Sequence, residues 1–285
     1  MNIKKILAGI DFGQDTPKVL AYASFFARQF NASLDLLYVI DYLVTPPSYV
    51  APYIEEERKE ALLRFAEIRA RLSEKDIQAK TEVMAGRLQE SFEAASERLQ
   101  ADLLVLGFVT HTLRRSSAEK LIKGLRMPML VVRGRKADHV LTSPLKIRRI
   151  LCPFDFSEVS ERALRIAKDL KGLFSSELYI AHIIPEDVLN KKIEMNDGRY
   201  QSLLDAMHED SVKAMSTLIN EDELGVTVLT EKGVPAREIV SLSDEKDIDL
   251  VVMGARGLGL IKGMLIGSVT DSVLKSSFCP VLVVH

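Results

Sequence analysis

One module is written twice along this chain, and no other feature restricts its fold as much. Ile6–Phe12 (ILAGIDF) and Ile150–Phe156 (ILCPFDF) stand 144 residues apart, and both carry an apolar strand onto Asp-Phe. The same offset sets Ser33–Ile40 against Glu177–Ile184. At an offset of 147, Gly86 meets Gly233 and Asp102–Gly107 (DLLVLG) meets Asp249–Gly254 (DLVVMG). Pro128–Val132 then meets Pro280–Val284 at an offset of 152. Matched blocks in the same order along 285 residues mean two duplicated domains of ~140 residues each, a usual domain size, and not a solenoid of short repeats.

Each copy alternates continuous apolar strands with amphipathic helices. In the second copy, strands are expected over Ile150–Phe154, Leu178–Ile184, Val226–Glu231, Leu250–Met253 and Val281–Val284. Helices are expected over Ser157–Leu173, Asp205–Ile219, Pro235–Asp244 and Ser268–Ser276. Ser157 is placed to cap the first of them, whose apolar stripe is Ala163, Leu164, Ile166, Ala167 and Leu170. Pro235 suits a first helical turn. This pattern predicts an α/β fold with two tandem, open, five-stranded parallel sheets, each covered by helices on both faces. The domains are expected at 1–137 and 147–285. The linker lies within Gly134–Lys146, a stretch that lacks helical periodicity and is short enough for the domains to touch.

Composition narrows the class. Hydrophobic residues make up 47% and charged residues 27%, enough to fill real cores. The formal charge is −2 and no basic stripe runs along the chain, so nucleic acid is not an expected partner. No apolar run approaches the ~20 residues of a membrane-spanning helix, and Met1 leads through Lys4 and Lys5 into a strand without a signal-peptide layout. Cys152 and Cys279 have no metal-ligand spacing and read as buried thiols. These features suit a cytoplasmic protein with no membrane association.

The residues with a chemical reading follow the fourth strand of the second copy. Gly254-Ala255-Arg256-Gly257 begins a glycine-rich loop that runs to Gly267-Ser268, where the last helix starts. In open α/β sheets ligands bind beyond the carboxyl ends of the strands. Glycines let backbone approach a phosphate, and a helix N-terminus is an anion site. The Ser268 and Thr270 hydroxyls can add hydrogen bonds. The plain alternative is a surface loop that uses glycine for its turns.

The spacing Gly254-x2-Gly257-x9-Gly267-Ser268 resembles the G-2x-G-9x-G(S/T) signature of ATP-binding universal stress proteins. Cys152–Glu158 resembles the first strand and turn of that family, and Ser277–Val284 resembles its tail. The second half resembles the family end to end, and the first half more weakly. The implied fold is the Rossmann-like, adenine nucleotide α-hydrolase-like type. The resemblance implies that Pro153, Phe154 and Asp155 line the adenine and ribose end and that Ile183 packs on the base. It implies further that Met253 and Gly254 reach the sugar and first phosphates, and that Gly257, Gly267, Ser268, Val269 and Thr270 wrap the phosphate tail. Arg256 could reach a phosphate or face solvent. The implied ligand is ATP, with ADP and AMP not distinguished and Mg²⁺ left open. The implied role is a nucleotide-dependent regulatory or stress-response protein read by a protein partner that the sequence does not identify. Binding with slow or no hydrolysis follows, because no Walker lysine and no second carboxylate paired with Asp155 is in evidence. A slow ATPase, an adenylyl-transfer enzyme, or a small-ligand carrier acting through the first half are the alternatives. Single-domain relatives dimerise through the fifth strand, so the two copies are expected to form an internal pseudo-dimer, with a homodimer left open. His182 reads as a structural histidine.

The first copy departs from the signature. After Gly107 it reads Phe108–Ser117, with Thr110 in the place of Gly257 and Arg115 in that of Gly267. Its path to Pro128 is five residues shorter than that from Gly254 to Pro280. Either this half has lost the nucleotide loop, or His111, Arg114 and Arg115 form a remodelled anion site.

Overall fold

A computed structural model describes residues 1–41, 47–108, 117–138, 144–185, 198–218, 224–257 and 266–285. Two compact units divide the chain, essentially at Leu145/Lys146. The first contains β1 (Lys5–Gly9), α1 (Thr16–Phe30), β2 (Ser33–Asp41), α2 (Pro47–Ser73) and β3 (Ala79–Gly86). It continues with α3 (Leu88–Leu99), β4 (Leu103–Gly107), α4 (Ser117–Gly124), β5 (Met129–Val132) and α5 (Gly134–Asp138). The second contains β6 (Arg149–Pro153), α6 (Glu158–Phe174), β7 (Glu177–Pro185) and α7 (Gly198–Ser216). It ends with β8 (Val226–Gly233), α8 (Pro235–Glu245), β9 (Leu250–Gly254), α9 (Ser268–Ser276) and β10 (Val281–Val284).

The strand order is β3-β2-β1-β4-β5 in the first unit and β8-β7-β6-β9-β10 in the second, with parallel pairing throughout. The fold is therefore the expected open, Rossmann-like α/β sheet, twice. Each first strand lies between the second and the fourth. That is the point where the chain reverses its direction of travel across the sheet, and a crevice opens there at the carboxyl ends. In the second unit those ends are Pro153 on β6 and Gly254 on β9.

Burial explains the runs of apolar residues. Every residue of β9 is buried, as are Leu103–Leu106 of β4, because helices cover both faces of a parallel sheet. One clamp recurs in both copies. Asp102 accepts from the Lys4 and Lys5 backbone N–H groups at 2.8 and 3.0 Å, and Asp249 accepts from those of Arg148 and Arg149 at 2.8 and 3.1 Å. The aspartate heading each DLxVxG block thus ties the fourth strand to the first. Gly86 and Gly233 close β3 and β8 at φ 158° and 149°, a conformation that L side chains rarely adopt.

The expected helix over Asp205–Ile219 begins earlier, at Gly198. The boundary stretch, read as lacking helix, holds the single-turn α5, anchored by the fully buried Ala137. Asp138 at its end pairs with Lys18 of α1 at 2.6 Å. No described helix is long and apolar enough to cross a membrane.

Candidate functional site

β6 delivers the chain to the crevice buried and hydrogen-bonded. The Phe154 N–H donates to Ala181 at 2.8 Å, which extends the β6–β7 pairing one residue past the strand. Its carbonyl accepts from His182 Nδ1, also at 2.8 Å. A carbonyl can only accept, so this bond fixes the proton on Nδ1 and gives His182 a structural partner. Cys152, one residue before Pro153, is fully buried, and that burial pushes its thiol well up from the ordinary value. It is no nucleophile.

Asp155 then forms a local hook. Its Oδ1 accepts from the Ser157 hydroxyl at 2.6 Å and from the Ser157 N–H at 3.1 Å. Ser157 caps α6 by accepting from the Ser160 N–H at 3.2 Å. Between them Phe156 takes a left-handed φ of 63° and packs edge-on against Phe154 and His182, with ring centroids 5.0 and 4.9 Å apart. The expected α6 stripe holds at Ala163, Leu164, Ala167 and Leu170, whereas Ile166 is half-buried and Ser160 takes a buried place.

From the other side of the crevice, β9 ends at Gly254. A methyl group there would lie 3.0 Å from Val159 Cγ1, so the glycine lets α6 cross the strand end closely. Ala255–Gly257 turns back over β6. A Cβ on Gly257 would stand 2.1 Å from Asp155 Oδ2, so the glycine backbone and the carboxylate occupy adjoining space. The chain is described again from Ile266, and Gly267 donates its N–H to the Ala255 carbonyl at 2.8 Å, which closes the base of the loop. Residues 258–265, the middle of the signature, lie outside the described residues. So do Thr110, His111, Arg114 and Arg115 of the first half.

Gly267 is the N-cap of α9 at φ −77° and ψ 158°, with no side-chain cap. Any residue adopts that backbone, and a Cβ there would make contacts no shorter than 3.5 Å. Gly267 therefore has no conformational need to be glycine. Its first-turn neighbours Ser268, Val269 and Thr270 have no carbonyl four residues back in the helix to receive their N–H groups. Ser268 is exposed and Val269 half-buried. Thr270 differs from the expectation. It is 3% exposed and its hydroxyl donates to the Gly254 carbonyl at 2.9 Å, so it ties α9 to the end of β9. Ile183 and Met253 are buried near their strand ends, and Pro153, Arg256 and Gly257 are half-buried. Val159 was not singled out by motif reading, because nothing in the spacing reports which helix residue crosses a glycine.

The first unit has the same crevice in altered form. Asp11 Oδ1 accepts from the Gly13 N–H at 2.8 Å and the Thr16 hydroxyl at 3.0 Å, the counterpart of the Asp155 hook. Phe12 mirrors Phe156 at φ 55° and packs on Tyr38, which stands where His182 does. Above β1, however, the space is filled. A Cβ on Gly9 would lie 2.6 Å from Leu106 Cδ2 and 3.0 Å from Phe92 Cζ. Among the described residues, one cavity there is about 120 Å³, and Asp11, Asp15 and Asp41 line it. Small-molecule sites usually run to ≈300–1,000 Å³, and the lining of this one holds three carboxylates and no cation, with Asp15 paired to Lys18 at 2.6 Å. Among the described residues, no group of three or more His, Cys, Asp or Glu side chains is arranged to hold a metal.

The model of the universal stress protein family matches residues 2–133 and again 146–285. The chain belongs to the universal stress protein family. A universal stress protein of Methanocaldococcus jannaschii is 31% identical over 152 residues, covering 48% of this chain and 94% of its own length. A second from the same organism is 34% identical over 140 residues, covering 48% and 81%. Among solved structures, a universal stress protein from Archaeoglobus fulgidus covers 100% of this chain and 99% of its own, with TM-score 0.72 and 23% identity. That last likeness extends the tandem universal stress protein fold over the full length. The single-domain relatives match about half of it.

Proposed function

We propose that this universal stress protein binds one adenine nucleotide per chain in its second unit and acts as a nucleotide-dependent regulator of a stress response. The observation that carries the reading is the meeting of Gly257 with Asp155 beneath the N-terminus of α9. It sets a carboxylate for ribose hydroxyls beside a glycine backbone and a helix start suited to phosphate. Asp155, Ile183 and Met253 would hold the nucleoside. Gly254, Arg256 and Gly257 would meet the first phosphates, with Gly267, Ser268 and Val269 around the tail. Thr270 serves the same site from behind, through Gly254. The domains are taken as 1–137 and 147–285, with the nucleotide confined to the latter.

Mass analysis of small molecules released on denaturing the purified chain tests this directly. ATP, ADP or AMP near one equivalent supports it. An empty preparation that also fails to bind ATP in calorimetry overturns it. Product analysis after incubation with ATP separates a binding protein from a slow ATPase.

A further inference from the structure

The first unit carries a groove between α1 and α2, about 960 Å³ in volume and remote from the strand ends for most of its length. Its floor is apolar. Leu20, Ala21 and Phe25 of α1 line it together with Ile68 and Leu72 of α2. Residues 61, 65, 68 and 72 are buried or half-buried positions of α2, and the last two carry its apolar side into the groove.

The rim is basic. Arg28, Arg64, Arg71 and Lys75 line the groove against one carboxylate, Glu67. Arg28 donates to the backbone carbonyl of Lys75, which gathers Arg28, Arg71 and Lys75 at one end. Arg64, which is paired with Glu60, lies toward the other end, over the Phe12 ring, 5.5 Å from its centroid. Among the described residues no carboxylate pairs with Arg71 or Lys75.

We propose that this groove binds a long-chain carboxylate, with the alkyl chain between α1 and α2 and the head at Arg28, Arg71 and Lys75. A free phosphate would leave the apolar floor bare. A neutral hydrocarbon would leave Arg28, Arg71 and Lys75 without a counter-charge. An alkyl body with a single anionic head satisfies both, and an arginine fork suits a carboxylate. The proposal is independent of nucleotide binding, since none of these residues belongs to the second unit.

The test titrates the full chain by calorimetry with decanoate, dodecanoate and tetradecanoate, each below its micellar concentration. One saturable site is expected, tightening by about two- to fourfold per methylene. Arg71→Glu with Lys75→Glu, both exposed positions, should leave the circular dichroism unchanged and weaken dodecanoate at least about tenfold. Absence of saturable binding overturns the proposal, as does binding that the double variant leaves unchanged. Capture on phosphatidylglycerol vesicles without binding of free dodecanoate also overturns it, because the groove would then be a membrane-facing surface.

Discussion

The two strand-end crevices share a backbone and differ in what fills it. Asp11 and Asp155 make the same hook onto the turn before α1 and α6. Gly107 and Gly254 are crowded by equivalent helices, α1 and α6, where an added Cβ would lie 3.1 Å from Val19 Cγ2 and 3.0 Å from Val159 Cγ1. These are the motif residues that both copies keep, and each has a packing or capping reason to stay. The positions that differ, Gly257 against Thr110 and Gly267 against Arg115, belong to the loop beyond. A shared Asp and Gly thus report the fold, and on the proposed reading the loop glycines report the ligand. The sharpest form of that contrast is stoichiometry. Calorimetric titration of the full chain should saturate at one ATP. Gly257→Arg should abolish it, weakening affinity at least about a hundredfold, because any side chain there displaces Asp155 Oδ2 as well as a phosphate. Two equivalents, or one that survives the substitution, would place the nucleotide elsewhere.

Filling of the first crevice makes a second contrast. Gly9 lies under the Phe92 ring and Leu106, where the second unit has Pro153. Gly9→Ala forces a methyl into that contact and should cost about 1–3 kcal/mol as overpacking, measured by urea unfolding. ATP affinity should not change. Wild-type stability in this variant would mean that the first crevice is looser than the 2.6 Å approach implies.

The paired aspartates test whether the proposed binding role is separate from the structural one. Asp11→Asn and Asp155→Asn each exchange a charged acceptor for a neutral one within the same turn. Both should lose roughly 1 kcal/mol of stability. Asp155→Asn should also weaken ATP about tenfold, whereas Asp11→Asn leaves it alone. Equal effects on ATP from the two variants would erase the asymmetry between the halves.

Much of this was legible because parallel strands buried on both faces appear as uninterrupted apolar runs, and because the chain repeats them. The last helix and strand, Ser268–Ser276 and Val281–Val284, fall where the pattern puts them. The start of α7 was missed because Gly198-Arg199-Tyr200-Gln201-Ser202 carries no apolar stripe. A five-residue helix such as α5 is too short to show a period. In the site, spacing put Gly254 and Gly257 in one loop and the family resemblance added Asp155, and the structure brings Gly257 against that carboxylate. It could not reveal that the Thr270 hydroxyl turns inward to Gly254, since a hydroxyl at a helix start reads alike whether it faces a ligand or a carbonyl.

The smallest expected effect bears on the helix start itself. Gly267 caps α9 without a side chain, in a backbone conformation open to any residue. Gly267→Ser supplies a hydroxyl that accepts from a first-turn N–H, and serine ranks above glycine as an N-cap by only a few tenths of a kcal/mol. The thermal midpoint of the ligand-free chain should therefore rise by about 1–2 °C. The same N–H groups are those a phosphate would use, and the new side chain competes for them, so ATP affinity should fall as stability rises. Opposed changes of this kind separate a helix terminus held open for an anion from one that is merely uncapped. A higher midpoint with unaltered ATP affinity would show that the phosphate tail does not reach α9.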